Sequence, residues 1–456
     1  MRQISERLDE AIAGGLIAAV VFTALARGAT SPWSVGTFEL IIAILLLLWA
    51  IKARIDKRWA SLPPAAMPLI ALAVYGWAQC ISFTDRDGRS WSLSMDVAAT
   101  RTAVTAMSFL LIAFLIASNF YASQRKLQVL SNFLIFYGVT MAVCALLRQH
   151  SADYNLLNWL ITTEDGSVRG TFVNRNHFAG YMELLALIPV PLSLARGLPR
   201  RTRLFYGFAA AVMGVAAIGS QSRGGMLSLA AGMTFIVIMS ARLREVSPAH
   251  EAIKSKWEGV RVRLKHAVVV AVISFTMIAG VFSLGAGAVV HRIEETVHDI
   301  GSANPQADFT TGRRSIWKTT VAMIRANPYF GVGFGAFRTA YPLYSRGEGL
   351  PTIGQAHNDY LQVLADCGIL GGVFALWFIT VVCRTIGRGI RSRDPLAARL
   401  ALGGGAGIFA ILVHSLFDFN LQLTSSALLF LLILGMVSQI STTTAKGDAA
   451  QSSYRV

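Results

Sequence analysis

The chain is 456 residues long, 54% hydrophobic and only 14% charged, with a mean hydropathy of +0.53, values that exclude a soluble globular protein of this length. A net charge of +16 would point to nucleic acid in a soluble chain, but in a membrane protein Lys and Arg first report topology. No nucleic-acid partner is expected.

Taken in order, apolar runs that span or nearly span a bilayer fall at 11–26, 35–51, 66–83, 102–118, 129–147 and 177–195. Six more lie at 204–219, 225–240, 267–290, 361–383, 399–417 and 425–440. They predict an all-α integral membrane protein of about twelve transmembrane helices. It forms a single polytopic domain, 1–456, whose first five spans occupy 1–147. The first run lacks a small-x-small cleavage site and reads as an anchor rather than a signal peptide. Alternate loops collect the cations: Lys52, Arg54, Lys57 and Arg58, then Arg200, Arg201 and Arg203, then Lys254 to Lys265, then Arg384 to Arg399. Roughly 26 of the 41 Lys and Arg residues fall on that side. Both termini are therefore expected in the cytoplasm, and the long loops 148–176 and 291–360 outside the inner membrane. The polar tail 441–456 reads as cytoplasmic and disordered.

Cys80, Cys144, Cys367 and Cys383 lie in apolar stretches without CxxC spacing, which points to packing rather than zinc. A bond between Cys80 and Cys367, both near the outer face, stays open. Asp85-Arg86-Asp87 and the set His291, Glu294, Glu295 and His298 resemble metal ligands, but a turn and a solvated helix face are the better readings. No metal and no cofactor is expected.

The functional signals gather in the outer segments. Thr171 to His177 leads into a span containing Glu183, and Asn176 and Glu183 flank Gly180 on one helix face. Arg175 and His177 stand at the mouth of that span, and a carboxylate inside the membrane is a candidate by default. Arg223 occupies a tight Gly-rich turn between two spans, 219–225. After Thr310-Thr311, Ile316, Trp317, Val321 and Ile324 recur at helical spacing until Asn327-Pro328, an amphipathic helix. Its polar side presents Arg314, Lys318 and Arg325, with Arg313 beside Trp317. Gly331 to Gly335 lacks the Lys-Ser/Thr of a phosphate loop and reads as a flexible turn. Beyond Arg338 come His357 and, at the outer end of the next-to-last span, Asp418, placed to orient a base or bind a sugar hydroxyl. Cations beside a titratable imidazole point to an anionic substrate undergoing proton transfer.

His357-Asn358, nine residues, Gly368, two residues and Gly371 resembles the signature of the O-antigen ligase and polymerase superfamily. That signature is His, then Asn, Ser or Gln, then Gly after nine residues and Gly, Thr or Tyr after two more. Arg223 and Leu227 fit its Arg-x3-Leu pattern, and Asn174-Arg175-Asn176-His177 is similar to the superfamily as well. The resemblance is best over about 170–425.

The resemblance implies a GT-C-like helical glycosyltransferase with a large helical periplasmic loop and a site at the periplasmic membrane edge. The donor would be an undecaprenyl-diphosphate-linked glycan, transferred with inversion and without metal. Catalysis would fall to His357, Arg313 and Arg223, with Arg314, Arg338, Asn176, His177, Arg175, Glu183, Asn358 and Asp418 at the substrate. The acceptor, lipid A-core for a ligase, another glycan repeat for a polymerase, or a protein, stays open. Arg169 with Gly180 and Arg338 with Gly349 meet a polymerase spacing, of which about one is expected by chance. A small-anion transporter is the alternative of a different class, although transporters place their ionisable groups at the midplane rather than at helix ends.

Overall fold

The computed structural model of the protein describes residues 2–57, 61–87, 90–121, 123–150, 167–195, 197–240, 242–243, 256–283, 313–345 and 353–453. Its apolar helices are α1 (Arg2–Leu25), α2 (Pro32–Asp56), α3 (Ala66–Gln79), α4 (Val97–Phe120), α5 (Gln124–His150), α6 (Arg175–Ala186), α7 (Pro189–Ser193), α8 (Arg200–Gly219), α9 (Arg223–Ser240) and α10 (Lys256–Ser283). Two loop helices follow, α11 (Arg313–Ala326) and α12 (Phe337–Tyr344). The chain then closes with α13 (Asp359–Gly389), α14 (Pro395–His414) and α15 (Thr424–Ser453). The sheet among the described residues is one antiparallel hairpin, β1 (Ser82–Thr84) and β2 (Ser90–Ser92).

The described parts of the twelve apolar runs are largely helical, the run 177–195 being divided between α6 and α7, and nine described helices are long and apolar enough to cross a membrane. Other apolar helices among the described residues are shorter. Pro189 at the first turn of α7 separates it from the 12-residue α6, and α3 has 14 residues. Helix starts carry their own caps. Asp96 accepts from Ala99 N (2.9 Å), Asn174 from Asn176 N (2.8 Å), and Asp394, just before Pro395, from Leu396 N (3.1 Å).

The centre of the bundle is α14 and α15, the most deeply buried spans. A Cβ on Gly403 would lie 2.6 Å from Ile188 O, and one on Gly407 2.9 Å from Leu184 O. So α14 rests on the backbone where α6 breaks into α7, the close approach that small residues allow between helices in lipid. On the outside Phe136, Phe275 and Leu376 are exposed, as side chains facing acyl chains should be.

Inside α13, Gly368 has φ 62° and ψ −159°, a conformation essentially reserved to glycine. The loop after α11 docks onto this break. Val332 N donates to Ala365 O (2.9 Å), Gly333 N to Asp366 O (3.0 Å) and Ile369 N to Pro328 O (2.8 Å). From α3, Gln79 Nε2 donates to Phe330 O (2.9 Å) and Asp366 O (3.2 Å). The expectation of a flexible turn at Gly331 to Gly335 is therefore corrected: these backbone groups satisfy the ones that the helix break leaves open.

The stretch after Gly335 contains α12, held by buried Phe337, Ala340 and Tyr341. Two further expectations change, for the tail and for the cysteines. The tail is helical through Ser453 rather than disordered from Ser441. Thr442, Thr443 and Thr444 bond back to the carbonyls of Ser438, Gln439 and Ile440, and alanines carry the helix onward. All four cysteines are free, and Cys383 is exposed rather than packed in the core.

Candidate active site

The short connection from α14 to α15 carries Asp418, just before the 3₁₀ turn Asn420–Gln422. Its carboxylate is fully buried and gathers side chains from three other parts of the chain. From α11, Arg313 Nη2 lies 3.2 Å from Oδ2, while Arg313 Nη1 donates to Phe417 O. From the loop before α13, His357 Nδ1 lies 3.2 Å from Oδ1. From α6, Asn176 Nδ2 donates to Oδ2 at 2.5 Å, and His177 Nε2 stands 3.9 Å from Oδ1. Phe419 N donates to Oδ1 (2.9 Å). Both imidazoles meet the Phe419 ring edge-on, each with centroids 4.8 Å apart.

Burial alone would raise the Asp418 carboxyl. The hydrogen bond from His357 and the charge of Arg313 outweigh it and hold the group well below the usual carboxylate range. An ionised Asp418 fixes the tautomer of a neutral His357: the proton sits on Nδ1, facing Asp418, and Nε2 presents its lone pair. His357 is a quarter exposed, with side-chain accessibility of 28% against 1% for Asp418, so the lone pair is open to a reactant.

His357 adopts φ +50°, a left-handed conformation costing about 1–2 kcal/mol for a residue with a Cβ. Its neighbours enforce it. Trp317 Nε1 donates to Ala356 O (3.0 Å), and Ala356 N donates to Gln362 Oε1 (2.7 Å). Gln362 Nε2 then reaches Asp366 (3.2 Å), which accepts from Gly335 N (3.0 Å). Asn358 caps α13 through Tyr360 N and Leu361 N and donates to Leu416 O (2.9 Å). Asn358, expected at the substrate, thus spends its carbonyl oxygen and one amide N–H on holding the start of α13.

A second polar group lies beneath. Glu183 accepts from Ser228 (2.7 Å) and faces His414 Nδ1 at 3.1 Å, all three being buried. The turn bearing Arg223 sits on this pair: a Cβ on Gly224 would come within 3.0 Å of His414, and one on Gly225 within 3.0 Å of Glu183 Oε1. Glu183, expected at the substrate, is buried beneath the start of α9. Arg223 and Arg175 are half-buried at the starts of α9 and α6, and Arg314 is exposed on the first turn of α11. Arg338 is exposed on α12, and the structure does not join it to the centre. Asp85 closes its own turn by accepting from Asp87 N (3.0 Å). The set at His291, Glu294, Glu295 and His298 lies outside the described residues.

Gln362, Asp366 and Phe419 escaped sequence reasoning. Asp366 had a signal: a carboxylate within an apolar run, the criterion that singled out Glu183.

Fold and site together define a multi-pass helical membrane protein with a charged, preorganised centre where several spans end. Residues 208–376, from α8 into α13 and including Arg223, Arg313 and His357, match the family model of the O-antigen ligases. That match supports the resemblance to the O-antigen ligase and polymerase superfamily over this part of the chain. No curated protein matches it.

Proposed function

We propose that the protein is an inverting, metal-independent glycosyltransferase of the O-antigen ligase type. It moves a glycan from undecaprenyl diphosphate to an acceptor hydroxyl at the periplasmic face of the inner membrane. The observation that carries this reading is the convergence of Arg313 and His357 on one buried carboxylate. A guanidinium and an open imidazole nitrogen, fixed side by side, suit a reaction in which one oxygen gains negative charge while another loses a proton.

The acceptor oxygen attacks the anomeric carbon from the face opposite the diphosphate. The new C–O bond forms as the bond to the phosphate oxygen breaks, and the diphosphate leaves with the electron pair. The acceptor proton passes to His357 Nε2, and Asp418 stabilises the imidazolium. Arg313 spends part of its fork on Asp418 and Phe417 O, leaving further N–H donors for the departing diphosphate. Arg223 approaches the same charge from the start of α9, where the helix dipole adds to its own.

The test is glycan analysis of strains carrying His357→Ala, Arg313→Ala or Arg223→Ala. Each variant should insert in the membrane normally, because none opens a core cavity, and transfer should fall about 100-fold or more. Long glycan left on carrier lipid and missing from its final acceptor is the expected result. Single repeats on the acceptor would identify a polymerase, and unchanged glycans at normal expression would refute glycosyl transfer.

A further inference from the structure

We propose that the cleft between α8 and α10 is a binding site for an anionic phospholipid, remote from the Asp418 centre. The cleft has a volume of about 830 Å³ and apolar walls that include Leu204, Phe208, Val268 and Val272. Arg200, Arg203 and Lys265 line it at the basic ends of both helices. None of these three side chains has a hydrogen bond or ion pair among the described residues, and Arg203 Nε is buried without a partner. Three unneutralised cations over an apolar slot want an anion with a hydrocarbon tail.

Depth selects the class of lipid. From Lys265 to Thr276, the far end of the lining on α10, eleven residues of helix extend about 16 Å. That is half of a hydrocarbon core about 30 Å thick, the reach of acyl chains in one leaflet. A polyprenyl carrier would overrun it. Charge selects the headgroup. A zwitterionic lipid brings its own ammonium to the phosphate, whereas a headgroup with net negative charge leaves the attraction of Arg200, Arg203 and Lys265 uncompensated.

The full-length protein, purified in detergent, is titrated with phosphatidylglycerol or phosphatidylcholine, and bound lipid is counted by native mass spectrometry. Phosphatidylglycerol should bind the wild type about tenfold more tightly or better. The double variant Arg203→Gln/Lys265→Gln should lose that preference while still binding phosphatidylcholine weakly. Gly207→Phe should expel both lipids by filling the cleft, and its backbone tolerates a side chain: a Cβ there meets only Ser193 Cβ, at 3.9 Å. The two variants act on different parts of the site, so misfolding of one leaves the other as the test. Equal affinity of the wild type for the two lipids would overturn the proposal. So would undiminished phosphatidylglycerol binding by either folded variant, or displacement of the lipid by stoichiometric undecaprenyl phosphate.

Discussion

Asp418 makes a single buried carboxylate the common partner of a guanidinium, two imidazoles and a carboxamide. Its folded-state value is depressed, so its contribution to stability is fully present above the unfolded value near pH 4 and is lost as pH falls through the depressed one. Thermal unfolding in detergent should show wild type more stable than Asp418→Asn at pH 7, with the two curves converging below about pH 4. A gap that persisted undiminished at acid pH would deny the carboxylate this role. The same residues predict the response to chelation. If Arg313 and Arg223 carry the diphosphate charge, purified enzyme keeps its transfer rate in EDTA, whereas loss restored by magnesium would bring Asp85 and Asp87 forward as ligands. His357, Arg313, Asn176 and Asp418 were each legible as candidates. Their meeting was not, because no sequence spacing relates residues lying 61, 105 and 242 positions from Asp418, and only the packing of α6, α11 and α14 brings them together.

At the scale of elements, the glycine spacing after His357 is a structural device as much as a signature. Gly368 breaks α13 so that the loop after α11 can bond to its carbonyls, and the resulting block holds Gly335, Asp366, Gln362 and Ala356 in one chain of hydrogen bonds ending beside His357. A Cβ on Gly368 would lie 2.4 Å from Tyr329 O and would adopt a strained φ. Gly368→Ala should therefore cost about 3 kcal/mol, seen as a lowered thermal midpoint and poor yield of folded protein. A variant of wild-type stability and full activity would show that the break is dispensable. The periodicity of α11 was readable because its apolar side is regular. The short α12 was hidden by Pro342 inside it and by residues buried through contact with α11 and α13 rather than through their own pattern. Gly331 to Gly335 looked flexible for the same reason: glycine permits a turn in solution and a close-packed backbone equally well, and only the partner across the contact distinguishes them.

The whole molecule has two unlike ends. At one, Lys52 pairs with Asp56 and lies 3.6 Å from Asp9, Lys126 lies 3.0 Å from Asp9, and Gln124 bonds to Asp394 at 2.7 Å. These partly exposed contacts join the end of α2 and the starts of α1, α5 and α14. The basic starts of α8 and α10 follow from the same alternation of the chain. At the other end, the starts of α6, α9 and α13 and the end of α14 enclose the buried Asp418 and Glu183 groups. Lys and Arg bias predicts that the first end is the cytoplasmic one. A reporter active only in the periplasm should therefore work when fused at Ser302 or Asp165 and stay silent at Ser255 or Arg391. The four fusions must alternate as a set, since one inverted span would change only its neighbours while a reversed molecule would exchange all four. Signal at Ser255 and Arg391 with silence at Ser302 would put the Asp418 centre in the cytoplasm. A carrier-linked glycan already displayed on the outer leaflet could not reach it there, and the proposed transfer would fall with the orientation.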